Sequence, residues 1–466
     1  MRVLEVSAPL RPTSRQLRRI MLTLPALAGL SVAVGACESG SSSSSGTQAA
    51  SQAAEKAAVS GHVKGQLTVW VDAVRLPVAK AYAKAHPNVH VHIVTFDGDA
   101  NGATTLQTKI QLWNRTGNGW PDVIFSEQVN DPVWMAKPPF NFAAPINGLI
   151  PQSILSQWPS PSTTQCTING TQYCLQDNLA QVVLWYNKKL MTQFGYTVPT
   201  TWQQWAAIGQ KVATQHPGYI IGTSGESFSH WIYFWGNQCP LEKLQGSQLL
   251  INTSDTHCTE MASLLTPLIK NGTVPPLSVF TPDFAKKYGG ANDKVLMMPG
   301  PSWYAQAVFQ ATLHIPAGQI TAAMPLQWKN ETPITTGQVG GGPWIISRHS
   351  KNLATAANFV EWATTVFNPP GANARPGYPA YEPLANTWLK ALSANPYFAA
   401  DPTPALKAAA SLIWSGWNLV TYPDQPVWSN TVVTQLVAGK SLSSLMPAFG
   451  HALSQAAQAA GYQVSQ

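Results

Sequence analysis

Four carboxylates in this chain, Asp72, Glu127, Asp177 and Glu226, are placed where they could act on a bound molecule. A pair of carboxyl groups about 5–10 Å apart would serve glycoside hydrolysis, but spacing along the chain does not define such a pair. Other catalytic patterns are absent: HExxH, GxSxG, GxxxxGK[ST] and GxGxxG do not occur. Gly340-Gly341-Gly342 precedes a strand-like run, PWIISR, instead of opening a helix, which is the wrong side for cradling a phosphate. His90 and His92 share one face of a strand, a spacing that can bind metal. No Cys or carboxylate stands near them in sequence, so an exposed strand face accounts for them. These patterns point to no catalytic residue, no metal and no cofactor.

Aromatic surface is the second resource. The 466 residues include 18 Trp, 13 Tyr and 14 Phe, while only 11% are charged, less than half the ~25% of an ordinary soluble domain. So much ring area must be buried or used, which excludes a disordered chain. Gly shows no triplet period and no heptads are sustained, so collagen and coiled coil are excluded too. The formal charge of +7 and pI of about 9.1 invite a nucleic-acid reading. The cations do not support it: five of the 28 are Arg2, Arg11, Arg15, Arg18 and Arg19, and the rest are scattered with doublets only at 188–189 and 286–287.

Those first arginines precede an apolar run from Ile20 to Ala36, interrupted by Pro25 and Gly29. This is the layout of an export signal, marginal in length for spanning a ~30 Å hydrocarbon core. Val34-Gly35-Ala36-Cys37 then resembles a bacterial lipobox, in which the cysteine is lipidated and becomes the new N-terminus. We expect a signal peptide over 1–36 and a lipidated Ser/Gly-rich tether over 37–61, anchoring an exported body to the outer face of the cell membrane. Removing 1–36 leaves 23 Lys and Arg against 20 Asp and Glu, so more than half of the apparent basicity belongs to the export address. Four further cysteines suit an oxidising compartment. Cys166 and Cys174 bracket TINGTQY, which reads as a hairpin; its midpoint at Gly170 predicts an odd-numbered turn, of three residues, with the cysteines opposite each other. Cys239 and Cys258 form the second pair.

From Gly65 onward the chain alternates strand and helix: LTVWV (67–71), a helix over 76–87, VHVHIVTF (89–96), a helix over 104–117 ended by Gly117, and PDVIFSE (121–127). That succession predicts a parallel, doubly wound α/β sheet. Amphipathic helices follow at 201–215, 354–367 and 441–461. Ligands of such sheets bind beyond the carboxyl ends of the strands, which sets Asp72 and Arg75, with Ser126, Glu127 and Gln128, on one lip.

The order LTVW, PDVIF, LWYNKKL with PTTWQQW, KVLMMPGPSWY and GGGPWIISRHSKNLATAANFVEW resembles the extracellular solute-binding proteins of ABC importers, in the maltose-binding-protein-like class that carries carbohydrates. The resemblance covers about 65–461. It implies two α/β lobes joined by a hinge: one over 62–178 and 343–386, the other over 181–338 and 390–466, with crossings near 176–180 and 337–342. It implies a non-catalytic, monomeric receptor that closes on a sugar and delivers it to permease subunits. An exported glycoside hydrolase, or a receptor for another solute such as a polyamine, is the alternative. By position, the resemblance implies ligand contacts from Asp72, Ser126, Glu127, Asp177 and Asn178, with rings from Trp231, Trp303, Tyr304, Trp344 and Trp414. Trp235 and Trp417 are further candidates, while Tyr186, Trp202 and Trp362 sit inside core motifs.

Overall fold

The computed structural model describes residues 63–465 apart from 246–247, 291–292, 330, 332, 369–374, 376 and 418–419. The expected signal, lipidation site at Cys37 and tether lie outside the described residues. Among the described residues, no helix is long and apolar enough to cross a membrane.

The chain begins with β1 (Gly65–Val71), α1 (Leu76–Ala85), β2 (Val89–Thr95), α2 (Thr105–Thr116) and β3 (Val123–Phe125). Strands β2 and β3 flank β1 and both run parallel to it. Alternation along the strands feeds two cores. Val69, Val71, Val123 and Phe125 face one side with Val78, Ala79 and Tyr82 of α1. Trp70 and Ile124 face the other, with Leu106, Ile110 and Trp113 of α2. The helices therefore cover both faces, as the doubly wound reading requires. Helix α2 stops at Gly117, whose φ of +70° is the left-handed turn that a Cβ disfavours. An Ile124→Ala change in this doubly covered strand would cost about 2–5 kcal/mol.

Next comes β4 (Cys174–Gln176), after which the chain passes to a second sheet with β5 (Val182–Asn187), α3 (Trp202–Gln215), α4 (Ser229–Tyr233), α5 (Thr256–Lys270), β6 (Met297–Pro301) and β7 (Ile320–Ala323). Here β5 lies between β6 and β7 and is antiparallel to both. Helix α3 opens with a capping box in which Thr201 and Gln204 satisfy each other's backbone N–H groups. The chain returns as β8 (Pro343–Ile346), which inserts antiparallel between β3 and β4, and continues into α6 (Leu353–Thr365). A third passage follows through α7 (Glu382–Ser393), and α8 (Leu442–Ala459) packs against α5. The first sheet thus reads β2-β1-β3-β8-β4; only β8, where the chain returns from the second sheet, runs opposite to the other four.

Between the sheets, the segments around 177–182 and 337–342 run side by side. Val182 N–H donates to Gly337 O at 2.9 Å, Val339 N–H to Ala180 O at 3.0 Å, and Asp177 N–H to Gly342 O at 2.9 Å. Gly341 has a φ of +96°, and a Cβ on Gly342 would lie 1.9 Å from Ser126 O. Both positions therefore exclude any side chain.

Both cysteine pairs are bonded, but the hairpin differs from expectation. Ile168 pairs with Thr171, so Asn169-Gly170 is a two-residue turn with both φ angles positive, the geometry of a type I′ turn. Cys166 lies opposite Tyr173, whose N–H donates to Cys166 O. The bridge to Cys174 is nevertheless reached, because Cys166 ends a helix (Ser160–Cys166) and not a strand, leaving the Cα atoms 5.0 Å apart.

Candidate functional site

A cleft of about 360 Å³ opens between the two sheets, with Val339–Gly342 and Asn178 as its floor. One wall comes from the carboxyl ends of β1 and β3: Val74, Arg75, Glu127 and Gln128, with Asn101 from the loop after β2. The other carries rings: Phe228, Trp231, Phe280 and Trp303, with Ala307 and Gln425.

The first wall is a tied ionic cluster. Asp72 directly follows β1; its Oδ1 accepts the Arg75 N–H at 2.6 Å and its Oδ2 meets Arg75 Nη1 at 3.1 Å. Arg75 Nη2 donates to Asn178 Oδ1 at 3.4 Å and its Nε stands 3.6 Å from Asp177 Oδ2. The guanidinium also lies 4.2 Å above the Phe125 ring. Burial alone would lower the Arg75 pKa, but Asp72, Asp177 and Glu127 hold it above its ordinary value. Glu127 is pushed up to about 7, first by burial and against the pull of Arg75, with a hydrogen bond to Asp72 adding to the rise. Glu127 therefore keeps its proton up to near neutrality. Gly98 makes it possible: a Cβ there would press on Glu127 Cγ at 3.1 Å and Asp72 Cβ at 3.2 Å.

Behind this wall, Asp177 is fully engaged. Its Oδ1 accepts from Trp344 Nε1 at 2.9 Å and from Arg375 Nη2. Burial would raise its pKa, but Arg375 and Arg75 hold it below the usual carboxylate range. Ser126 is wholly buried and its hydroxyl donates to Asp131 Oδ2 at 2.6 Å.

The second wall is a platform of rings. Trp303 lies nearly parallel to Phe280, with centroids 6.2 Å apart and planes 22° apart, and edge-on to Phe228 at 6.0 Å. Its Nε1 donates to Val339 O at 2.8 Å, which fixes the indole against the floor. Trp231 is held by its own Nε1, donating to Asp424 Oδ2 at 2.7 Å.

Of the residues singled out by sequence, Arg75, Glu127, Gln128, Asn178, Trp231 and Trp303 line this cleft. Asp72 and Asp177 are one layer back, acting through Arg75 and Glu127. Tyr304 is fully buried behind Trp303, and Trp344 is fully buried in the central strand β8. Trp414 lines a different cavity, together with Trp235 and Trp417. Glu226 is buried, accepting from Val279 N–H and Ser278 Oγ. His90 and His92 are exposed on β2. Sequence reasoning missed Phe228, Phe280, Asn101 and Gln425, which come from loops and from short helical turns too brief to carry a periodic signal. Among the described residues, no cluster of three or more His, Cys, Asp or Glu could hold a metal ion.

The family model for bacterial extracellular solute-binding proteins matches residues 64–256. A multiple sugar-binding protein of Streptococcus mutans is 23% identical over 311 residues, covering 63% of this chain and 69% of that protein. Among solved structures, the galacto-N-biose/lacto-N-biose I-binding protein of a Bifidobacterium longum ABC transporter superposes with a TM-score of 0.69 at 16% identity. That match covers 86% of this chain and 99% of the other. The ABC-transporter-associated binding protein of B. animalis subsp. lactis, in complex with β-1,6-galactobiose, gives the same TM-score and identity over 87% and 100%. Residues 64–256 thus resemble the bacterial extracellular solute-binding proteins, and the chain has the two-lobed α/β fold of sugar-binding proteins of ABC transporters, the maltose-bound one of T. maritima among them.

Proposed function

We propose that this protein is the receptor of an ABC importer that captures a sugar or short oligosaccharide between its lobes and delivers it to a membrane permease. The observation that carries this reading is the asymmetry of the cleft. One wall offers fixed hydrogen-bonding groups in Arg75, Glu127, Gln128 and Asn178; the other offers the faces of Trp303, Phe280 and Phe228. A pyranose has both surfaces, hydroxyls around its edge and apolar C–H groups on its faces. The named ligands of the similar binding proteins, lacto-N-biose and β-1,6-galactobiose, have this chemistry. The chain works as an exported monomer held by lipid at Cys37, and closure on ligand presents the docking face to the permease.

A glycoside hydrolase fits less well. Among the described residues that line the cleft, Glu127 is the one carboxylate, whereas hydrolysis needs a pair of carboxyl groups flanking the scissile bond. A polyamine receptor would not place a guanidinium on the wall of its cleft.

The test is a thermal-shift screen of the purified protein against mono- and oligosaccharides. A sugar at 100 times its dissociation constant adds about 2.7 kcal/mol of stability. A shift with a polyamine or a peptide and none with any sugar would sink the carbohydrate reading.

A further inference from the structure

The gap between the lobes holds two cavities. Besides the cleft there is a second, of about 300 Å³, bounded by Lys137, Gln165 and Asn169 from one side and Trp235, Trp414 and Tyr462 from the other. Between the two lies a void of only about 10 Å³, which shares Trp231 with the cleft and Trp235, Trp417 and Val420 with the second cavity. The partition is the segment 420–426, and it is held from the opposite lobe. Asn130 Nδ2 donates to the backbone carbonyls of Val420 at 3.0 Å and Tyr422 at 3.3 Å. Pro423 and Pro426 close on Gly102, where a Cβ would lie 2.6 Å from Pro426 Cδ. Ser227 Oγ donates to Asn101 Oδ1 at 2.9 Å along the same edge. Val74 and Phe280, which also line the cleft, are 49% and 47% exposed, and there the cleft opens to solvent.

We propose that segment 420–426 makes the cleft blind at one end, so that the protein takes its oligosaccharide by one terminus, and that Asn130 is the positioning residue that sets this limit. The proposal rests on the carbohydrate reading above. A chain lying on the Trp303 platform ends against Gln425 on the inside and leaves past Val74 and Phe280 on the outside. Extending it inward would displace the partition, part Pro423 and Pro426 from Gly102, and leave the Asn130 amide and two buried carbonyls without partners. Extending it outward meets no such obstacle. Asn130 is suited to the task because one side-chain NH2 group carries two donors and can tie two carbonyls at once.

The experiment uses matched pairs. Lacto-N-biose, β-1,6-galactobiose, maltose and cellobiose are tested by calorimetry on the purified protein. Each that binds is retested as its benzyl glycoside, which adds a ring at the reducing end, and as its 4,6-O-benzylidene acetal, which adds one at the non-reducing end. One modified form should lose at least 100-fold in affinity while the other stays within about fivefold. In Asn130→Asp, which keeps the shape but removes both donors, the excluded form should regain at least tenfold relative to the free disaccharide. A change in that ratio is something that mere loss of stability would not produce. Equal tolerance of both ends, or equal exclusion of both, would overturn the blind-end proposal. An unchanged ratio in a folded Asn130→Asp protein would overturn the role of Asn130, and should that variant fail to fold, the wild-type comparison still decides the blind end. If none of the four disaccharides binds, the proposal falls with the carbohydrate reading beneath it.

Discussion

Across the cleft, Arg75 and Glu127 of the first lobe face Trp303, Phe280 and Phe228 of the second. On the charged side, every group is held by another: Asp72 and Asp177 tie Arg75, and Asp72 ties Glu127. Its geometry is fixed before any ligand arrives, and its protonation depends on pH. The aromatic side has no ionisable group facing the ligand and contributes area and shape. Its polar ties are made by the Trp303 indole on the Val339 carbonyl and the Trp231 indole on Asp424, both pointing away from the ligand's place. One wall therefore supplies direction and the other supplies surface, and a ligand must satisfy both.

Four measurements would break or sharpen this contrast. Arg75→Ala removes the shared partner of buried carboxylates and should cost about 3–5 kcal/mol of unfolding free energy, read by urea denaturation. A loss below about 1 kcal/mol would mean that the charged wall is not pre-tied. Trp303→Ala should act on binding: roughly thirtyfold in Kd, about 2 kcal/mol, by calorimetry. An equal loss in Arg75→Lys with Trp303 intact would blur the division between the walls.

The third measurement varies pH. Burial pushes Glu127, Asp131 and Glu226 up to about 7 and Asp99 up to about 8. Between their unfolded values near 4 and these folded values, the native state binds more protons than the unfolded chain, so stability falls as pH rises. The melting temperature should therefore climb on going from pH 8 to pH 5. Asp177 has the opposite sign: its contribution is present above pH 3.8 and is lost below it. Ligand affinity should run against stability and rise several-fold through pH 7, because ionised Glu127 is the stronger acceptor. Glu127→Gln should flatten that rise, and an unchanged slope would remove Glu127 from the ligand. The smallest effect belongs to Phe280→Ala at the half-exposed mouth, a two- to fivefold loss of affinity with no change in pH dependence.

Local signals carried the fold a long way. The alternation of VHVHIVTF and the helix over 104–117 with its terminal Gly117 describe backbone states that the sequence itself favours, and both appear where expected. The hairpin register went astray because Cys166 belongs to a helix end, a state decided by contacts outside TINGTQY. The candidate site was half legible. Glu127 and Asn178 could be placed from strand ends and crossings. The tryptophans could not be sorted, since a Trp reads the same whether its ring meets ligand or core; Trp344 is buried because β8 happens to be central and covered on both faces. Asn130 was invisible, for its role depends on partners nearly 300 residues away.

Asp177 has a mechanical consequence. Its carboxylate grips Arg75 of the cleft wall, Arg375 from the third passage and Trp344 of β8, while its backbone N–H is fastened to Gly342. A push on Arg75 therefore cannot be absorbed locally. It is delivered as torque to strands that pass between the lobes, and the ionic wall behaves as the short arm of a lever with Asp177 as its fulcrum.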